Sequence, residues 1–540
     1  MSRFGALLGV RLRRDAAQLA LWILGTAALA GLTYVGVTGS YGTEQERAAL
    51  LATAVANPVI LLFRGLPSGA GEGAFLGFLI LPFLVMLAAF MSSFLAVRHT
   101  RADEEEGRAE LVSATPAARL LPLAATVVHA VIANTVLALL CAAAVAATGL
   151  GVRGAAVLGL ATGAAGLTFF ALSLVAAQLV RTSRAANAVG VWIIMASFVL
   201  CGVGNAAGTP SADAQRVESG WLAWLTPFGW AENTRPYDRD DLAPLLLCAL
   251  AVVVLVGAAL ALQGSRDLGA SLLPERSGRA RARASLAGPF GLAWRLSRGA
   301  LLGWAAGGLV TGVLATRLSA VLDQVSTQVP AVQVLTQALA RDGSLAQAAV
   351  VIFFTMLGVL ASCCAVQSIC RARQEEARGT AEPVLSASVG RLHWFAGHAA
   401  VAGLGILATV VGGILGAAVG IASLADADWS LLETVLVTGA GQAVAAAVFL
   451  VLTALVFVVA PRLTIPAGWA LVVVGMMLGL FGPLFGFPQW LTEVSPIAVA
   501  PTVAGPDVDL RGLVWLLLAI VLGGGASALL MRRRELAPAG

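Results

Sequence analysis

Long apolar segments dominate this sequence and restrict the folds that it can adopt. A bilayer has a hydrocarbon core about 30 Å thick, which a helix of about 20 apolar residues crosses. In the first half of the chain such segments are Ala16–Val35, Ala74–Val97, Leu121–Thr148, Ala155–Val180, Ala188–Val203 and Leu242–Leu262. In the second half they are Gly299–Ala315, Ala346–Ile369, Phe395–Ile421, Leu431–Val459, Thr464–Phe485 and Leu513–Met531. The sequence therefore predicts an all-α polytopic membrane protein of about twelve transmembrane helices.

The amino-acid composition supports a surface that faces lipid. Of the 540 residues, 59% are hydrophobic and 12% are charged. Soluble globular proteins contain about 25% charged residues. A chain of this length has too few charged side chains to cover a surface that faces water.

All 34 basic residues are arginines, and their distribution predicts the orientation of the helices. If the N-terminus is cytoplasmic, 25 arginines fall in cytoplasmic segments and 9 in external ones. Positive residues accumulate on the cytoplasmic side of membrane proteins. We therefore expect an even number of spans, with both termini in the cytoplasm.

Short matching motifs indicate two related halves. Arg11 and Arg14 precede the first span as Arg295 and Arg298 precede the seventh, and an acidic motif follows the second span and the eighth. Six is an even number of spans, so the two halves form a parallel repeat. The predicted parts are a first six-span half, a basic cytoplasmic linker with the second amphipathic segment, and a second six-span half, over residues 1–262, 263–298 and 299–540.

This repeat also bears on the start of the chain. Ala28-Leu29-Ala30 resembles a signal-peptidase site. The corresponding first span of the second half is internal and cannot be a signal. We therefore interpret the first span as a retained helix.

The residues before the first span have an amphipathic pattern. Residues 2–14 carry apolar side chains at helical spacing, interleaved with arginines that include Arg11 and Arg14. This pattern predicts a short helix on the inner membrane surface. Arg295 and Arg298 mark its second copy. The alternative is a basic flank that only orients the span.

Charged residues cluster in the loops after the second and eighth spans. The candidate docking residues of the first loop are Glu104, Glu105, Glu106, Gly107, Arg108 and Glu110. Glu104 and Arg108 are four residues apart, so a helix here would contain an internal ion pair. The candidates of the second loop are Glu375, Glu376, Arg378 and Glu382. We predict that each loop docks a soluble partner; the alternative is a solvated helical hairpin.

Aromatic residues are concentrated after the fifth span of each half. The candidates for an external gate or aromatic cap are Trp224, Phe228, Trp230, Phe485 and Trp490. Aromatic side chains commonly anchor a protein at the membrane interface, which is the alternative. The apolar run Phe481–Trp490 is predicted to form a re-entrant segment.

Several function classes do not fit the sequence. The chain contains no lysine and therefore no P-loop, so ATP hydrolysis must come from another polypeptide. Its six cysteines lie in or beside apolar runs without CxxC spacing, as buried thiols do. Its four histidines do not form an HExxH motif. We expect no catalytic residue, metal site or cofactor in this chain; the roles of His129 and His398 stay open.

These features together resemble the type-2 ABC exporter permeases. The strongest signal is the Glu-Glu-Gly-Arg-Ala-Glu-Leu motif at Glu105–Leu111, preceded by the amphipathic basic segment. The chain is most similar to the fused, two-half actinobacterial permeases described as polyketide antibiotic exporters of the tetronasin-resistance type. The second half departs from the motif, because Ala377 replaces the glycine and Gly379-Thr380 is inserted before Glu382.

The resemblance implies a permease subunit of an ATP-driven exporter in a bacterial plasma membrane. It implies two copies of a separate ATP-binding subunit, which bind ATP and Mg²⁺ and dock on the two loops as cytoplasmic coupling helices. Hydrophobic or amphiphilic drugs and antibiotics are the expected cargo. No nucleic acid is expected as a partner.

Two other functions remain open at this point. A gradient-driven transporter of the major-facilitator type also has twelve spans in two parallel halves. However, members of that class typically carry a G-x-x-x-D-R-x-G-R-R motif after span 2, and the acidic loop of this chain does not match it. The second alternative is a membrane scaffold subunit that does not transport.

Overall fold

The computed structural model describes residues 3–116, 118–273, 288–326, 345–424, 427–482, 488–504 and 507–535. Within these residues, twelve helices are long and apolar enough to cross a membrane. The strands described form only two short hairpins. The prediction of an all-α polytopic membrane protein is therefore confirmed.

We number the membrane helices as spans 1 to 12. Spans 1 to 6 are Arg3–Ser40, Glu72–Val97, Leu121–Ala146, Val152–Leu179, Ser183–Ala206 and Ala243–Ser265. Spans 7 to 12 are Pro289–Ser326, Leu345–Ala377, Arg391–Ala422, Leu431–Val459, Pro461–Leu480 and Leu513–Arg533. Span 11 consists of the α-helix Thr464–Met476 with a 3₁₀ turn before it and a π-helical turn after it. The chain divides into two compact units, unit 1 (Met1–Ser277) with spans 1 to 6 and unit 2 (Gly278–Gly540) with spans 7 to 12.

Shorter elements connect the spans. The short α-helices are Glu44–Ala56, Pro58–Phe63, Asp103–Glu105, Arg108–Ser113, Pro227–Glu232, Glu382–Leu385 and Gln489–Thr492. Ala223–Leu225 and Pro461–Leu463 are 3₁₀ turns, and Arg98–Ala102 and Met477–Phe481 are π-helical turns. Antiparallel pairs join Thr209–Pro210 to Val217–Glu218 and Thr502–Ala504 to Asp507–Asp509.

The prediction of a separate short helix before the first span is wrong. Span 1 is one helix of 38 residues that begins at Arg3, and span 7 likewise begins at Pro289. No proline interrupts the sequence between Arg3 and Ser40, so the helix that starts in the basic segment has no reason to end there. Arg11, Arg14, Arg295 and Arg298 therefore belong to the first turns of membrane helices.

Small and polar residues allow the spans of unit 1 to pack closely. Gly163 of span 4 lies against the backbone of Asn134 in span 3, where a Cβ atom would clash. The Asn134 side chain donates to Ser92 Oγ of span 2 over 2.9 Å. Ser173 of span 4 donates to Ser93 Oγ of span 2 over 2.7 Å. Small residues and interhelical hydrogen bonds replace the hydrophobic effect as the source of helix association in lipid.

In unit 2, glycines bring spans 7 and 9 together. Gly308 lies against the backbone of Thr409, and Gly312 lies against that of Gly413. Span 10 is fixed by Gln442, which donates to the carbonyl of Ile497 over 3.3 Å. The abundance of glycine in these spans therefore has a direct packing role.

Two predicted segments fall partly outside the described residues. The predicted linker over 263–298 includes residues 274–287, which are not described. The predicted re-entrant segment Phe481–Trp490 includes residues 483–487, which are not described either. Phe485, one of the aromatic candidates, is among them.

Candidate functional site

The loop after span 2 reverses the chain in a few residues. The helix continues beyond Val97 through the π-helical turn Arg98–Ala102 and the short helix Asp103–Glu105. Gly107 then adopts a left-handed conformation with φ of 71°, and Arg108 begins the next helix. Glycine adopts this conformation without the penalty that a Cβ atom brings. We call residues Arg98–Ser113 the first coupling loop.

Glu104 points into unit 1 instead of toward a partner. Its carboxylate pairs with Arg101 over 2.7 Å and with Arg266, which follows span 6, over 2.5 Å. Arg101 in turn donates to the carbonyl of Ala177 in span 4 over 2.6 Å. The predicted Glu104–Arg108 ion pair is wrong, because the left-handed Gly107 ends the helix between them.

Asp103, which the sequence did not single out, is the centre of the charge network of this loop. It accepts from Arg108 Nε over 2.7 Å and pairs with Arg14 of span 1 over 3.3 Å. Burial alone would lower the pKa of Arg108, but its hydrogen bonds to Asp103 and Glu106 hold that pKa above the usual value. The basic segment and the coupling loop, found separately in the sequence, are thus in direct contact.

Arg11 joins span 1 to span 3. Its guanidinium is buried and donates to the carbonyl of Pro122 and to Thr126 Oγ1, each over 2.6 Å. It also lies 3.9 Å from Asp103 Oδ2. A buried guanidinium with this number of acceptors is a structural residue of the unit, not a surface anchor.

The remaining acidic residues of the first coupling loop are exposed. Glu105 accepts from the backbone N–H of Ser183, the first residue of span 5, over 2.9 Å. Glu106 pairs with Arg108. Glu110 is exposed and has no side-chain ion pair among the described residues. The exposed acidic surface of the loop therefore consists of Glu105, Glu106 and Glu110, while Glu104 lies inside.

The chain of unit 2 reverses direction after span 8 in a similar way, but its glycine lies at a later position of the motif. Span 8 ends at Ala377, and Gly379 has a left-handed φ of 72° before the helix Glu382–Leu385. The glycine that Ala377 replaces in the sequence motif is thus supplied two residues later. We call residues Arg371–Leu385 the second coupling loop.

The two glutamates of the second coupling loop lie mostly inside unit 2. Glu376 is buried and accepts from Arg534, which follows span 12, over 2.6 Å. Glu375 lies 3.2 Å from His398 Nε2 of span 9. These contacts give His398 a structural partner, and they leave Arg378 and Glu382 as the exposed charges of the loop.

The basic segments of the two units differ. Arg295 and Arg298 are exposed, and neither has an ion pair among the described residues. Arg371 of the second coupling loop contacts span 7 instead, donating to the carbonyl of Leu296 over 2.7 Å. The matching arginine motifs therefore do not have matching contacts.

The aromatic candidates have different surroundings. Phe228 is fully buried and packs edge-on against Phe169 and Phe198, with ring centroids 5.5 Å apart in each case. It is a core residue of unit 1 and not part of an exposed cap. Trp224 is exposed, and its carbonyl accepts from Trp230 Nε1 over 2.6 Å. Trp490 of unit 2 is also exposed.

A buried carboxyl lies beside Phe228. Glu232 ends the short helix Pro227–Glu232, outside the membrane-spanning segments, and its Oε2 accepts from Asn205 Nδ2 over 2.6 Å. Burial raises the pKa of Glu232 to about 7, against the opposing effect of the hydrogen bonds from Asn205, Cys201 and the backbone of Leu66. No pattern in the sequence indicates that this residue is buried.

A cavity of about 630 Å³ lies between the first coupling loop and span 1. Its walls carry apolar side chains, including Leu7, Val10 and Leu111. Charged residues of both signs also line it, namely Arg11, Arg14, Arg108 and Arg119 with Asp103, Glu104 and Asp267. The lining is therefore partly apolar and partly charged, with arginines and carboxylates side by side.

Comparison with known proteins identifies a family whose members are similar to this chain. Residues 5–263 and 286–532 match the family described as multidrug efflux system permease Rv1217c, C-terminal domain. A relative is the multidrug efflux system permease protein Rv1217c of Mycobacterium tuberculosis (strain ATCC 25618 / H37Rv). It is 35% identical over 535 residues, which are 98% of this chain and 94% of the relative. The similarity extends through both units.

Proposed function

The chain belongs to the Rv1217c family of multidrug efflux system permeases, and from this premise we propose that it is the membrane subunit of an ATP-driven drug exporter. It works with two copies of a separate ATP-binding subunit, which bind ATP and Mg²⁺. It moves hydrophobic or amphiphilic compounds, including antibiotics, out of the cell. It lies in a bacterial plasma membrane with both termini in the cytoplasm.

The observation that carries this proposal is the way the first coupling loop is tied to the spans. Asp103 pairs with span 1 through Arg14, and Glu104 pairs with Arg266 at the end of span 6. Glu106 and Glu110 of the same loop are exposed. A partner that moves the exposed face therefore pulls on at least two membrane helices. Such a contiguous set of contacts suits transmission of movement from a soluble subunit.

The second coupling loop supports a second docking position. Glu376 connects it to span 12 through Arg534, and Glu375 connects it to span 9 through His398. Arg378 and Glu382 are exposed. One loop in each unit with inward anchors and outward charges agrees with two copies of the partner.

The energy source must lie outside this chain. Phosphoryl transfer in P-loop ATPases needs a lysine at the phosphates, and the sequence has no lysine. The mixed apolar and charged lining of the cavity beside the first coupling loop suits an amphiphilic compound. The first observation places any ATP hydrolysis in a partner subunit, and the second supports an amphiphilic cargo.

Transport assays in proteoliposomes test the proposal. The chain is reconstituted with the ATP-binding subunit that we expect a neighbouring gene to encode, and uptake of a fluorescent amphiphilic drug into inside-out vesicles is measured. We expect uptake that requires ATP and the partner subunit and that persists when a protonophore abolishes the pH gradient. Uptake by the chain alone, driven by an imposed pH gradient, would instead favour a secondary transporter.

A further inference from the structure

Three side chains with metal-binding atoms meet inside unit 1, beside the first coupling loop. Asp15 belongs to span 1, His99 to the π-helical turn after span 2, and His129 to span 3. All three are buried. One ligand atom from each lies within 4.8 Å of those of the other two. Residues far apart in sequence thus converge in one small volume.

The carboxylate of Asp15 lies between the two imidazole rings. His99 Nε2 contacts Asp15 Oδ2, and His129 Nδ1 lies 3.8 Å from the same oxygen. The ring centroids are 5.3 Å apart. Nitrogen and oxygen ligands of Zn²⁺ lie about 2.0–2.2 Å from the ion. Small side-chain rotations therefore suffice to place all three atoms around one cation.

The ring of His129 has unused capacity to bind a ligand. Neither of its nitrogens has a hydrogen-bond partner within the part of the chain that the structure describes. A buried polar atom without a partner destabilises a fold, so such atoms call for an explanation. Coordination of an ion by one ring nitrogen supplies that explanation, because imidazole is the commonest metal ligand in proteins.

The second ring nitrogen of His99 faces a carboxylate at a distance slightly longer than a hydrogen bond. Its Nδ1 lies 3.6 Å from Asp103 Oδ2, while its Nε2 faces Asp15. Ligating histidines usually direct their other nitrogen to a carboxylate, which fixes the ring. His99 also lies in a π-helical turn, a distortion that is frequent at functional sites.

Nearby arginines lower the affinity that we expect this cluster to have for a cation. Arg98 Nη2 lies 3.1 Å from Asp15 Oδ1, and Arg11 Nη2 donates to the carbonyl of His99 over 3.5 Å. Their charges oppose a cation, and Asp103, which is 3.9 Å from Arg11, offsets part of this repulsion. We therefore expect a reversible site and not a permanently occupied one.

The fold itself does not require these three residues. Three motif matches of the sequence repeat align Arg14 with Arg298, Glu105 with Glu375 and Arg119 with Arg391. Counted from these matches, the positions of Asp15, His99 and His129 correspond to Gly299, Ile369 and Val401 in unit 2. None of these side chains can bind an ion, and Ile369 and Val401 are buried apolar residues. The reversal of unit 2 after span 8 instead has one carboxylate–imidazole contact, between Glu375 and His398. The triad of unit 1 is therefore an addition to the fold.

We propose that Asp15, His99 and His129 bind one divalent transition-metal ion of the Zn²⁺ class. Two imidazoles and one carboxylate are the protein ligands of open zinc sites, whereas Mg²⁺ and Ca²⁺ take oxygen ligands. The ion joins span 1, the turn after span 2 and span 3. This site replaces the expectation from the sequence that the chain binds no metal. The assignment does not depend on the proposed transport function.

Cobalt titration of the full-length chain tests the site directly. The chain is purified in detergent with an affinity tag that contains no histidine, treated with a chelator and titrated with Co²⁺. Bound Co²⁺ is detected by its visible absorption, and Zn²⁺ is added as a competitor. We expect one Co²⁺ per chain, displaced by Zn²⁺ and not by Mg²⁺.

Matched variants identify the ligands. His129→Leu and Asp15→Asn should each weaken Co²⁺ binding at least tenfold. His393→Gln, which removes an exposed histidine outside the triad, should leave binding unchanged. Equal binding in wild type and His129→Leu, or loss in His393→Gln, would overturn the assignment.

A second measurement needs no variant and so is independent of any folding defect. The chain has four histidines, so ¹⁵N-imidazole labelling gives signals from only four rings. Zn²⁺ should shift the signals of two rings and leave the other two in place. No shift on addition of Zn²⁺ would show that Asp15, His99 and His129 form only a hydrogen-bonded contact.

Discussion

Arg266, the residue directly after span 6, forms an ion pair with Glu104 of the first coupling loop, with Nη2 and Oε1 2.5 Å apart. The side chain of Glu104 is 6% exposed and that of Arg266 is 3% exposed. Arg266 also donates to Gln178 Oε1 at the end of span 4 over 2.7 Å. The end of span 6, the end of span 4 and the coupling loop thus share one buried charge network.

Removal of this buried carboxylate should destabilise the protein strongly. Glu104→Ala leaves the guanidinium groups of Arg101 and Arg266 without their shared counter-ion. Breaking a buried ion pair in this way costs about 3–5 kcal/mol. We expect a clear fall in the midpoint of thermal unfolding in detergent. Glu106→Ala, at an exposed position of the same loop, should change stability by about 0.5 kcal/mol or less. Equal effects of the two changes would contradict the inward position of Glu104.

Gly107 should be sensitive to substitution for a conformational reason alone. A Cβ atom at Gly107 meets no atom within 4 Å, so Gly107→Ala creates no clash. Its φ of 71° nevertheless costs a residue with a Cβ atom about 1–2 kcal/mol. We expect the same loss for Gly379→Ala in the second coupling loop, measured by unfolding in detergent.

The control for these glycines lies within a helix. Gly9 of span 1 also has no atom within 4 Å of an added Cβ. Its backbone is helical, so Gly9→Ala should stabilise the protein by up to about 1 kcal/mol. Destabilisation by Gly9→Ala of the same size as by Gly107→Ala would show that the left-handed conformation is not the cause.

The sequence predicted the spans well and the orientation of the loop residues poorly, for a physical reason. The length of an apolar run fixes a membrane helix, because the thickness of the bilayer sets the requirement. Side-chain direction depends on an unbroken helical period. The π-helical turn Arg98–Ala102 and the left-handed Gly107 interrupt that period. For this reason Glu104 faces inward and does not pair with Arg108.

The sequence also could not predict contacts between distant segments. Asp15, His99 and His129 come from three helices, and no spacing in the sequence links them. The partner of Glu376 is Arg534, 158 residues away. The repeat predicted similar loops in both units, but similar motifs do not specify the same partners.

The stability of the protein should depend on pH through Glu232. Its folded pKa of about 7 is above the ordinary value, because burial disfavours the ionised form. Between the ordinary value and about 7, the folded protein holds a proton that the unfolded chain has released, so stability falls as pH rises through this range. The total loss amounts to roughly 3 kcal/mol.

Thermal unfolding of a matched pair of variants checks this assignment. Glu232→Gln mimics the protonated carboxyl, so the fall in unfolding midpoint between acidic and neutral pH should disappear. Glu44→Gln, at an exposed position, should keep the wild-type dependence. An unchanged pH dependence in Glu232→Gln would contradict a buried, titrating Glu232.

Co-purification of the chain with the proposed ATP-binding subunit tests the central claim most directly. The variants reverse exposed charges of the two coupling loops, Glu110→Arg in the first and Glu382→Arg in the second, alone and together. The control is Glu44→Arg, beyond the opposite end of span 1. We predict that each single reversal reduces the amount of bound ATPase, that the double reversal abolishes the complex, and that Glu44→Arg leaves it intact. A complex that survives the double reversal would contradict the account, because the exposed faces of the two loops would then not be the docking surface.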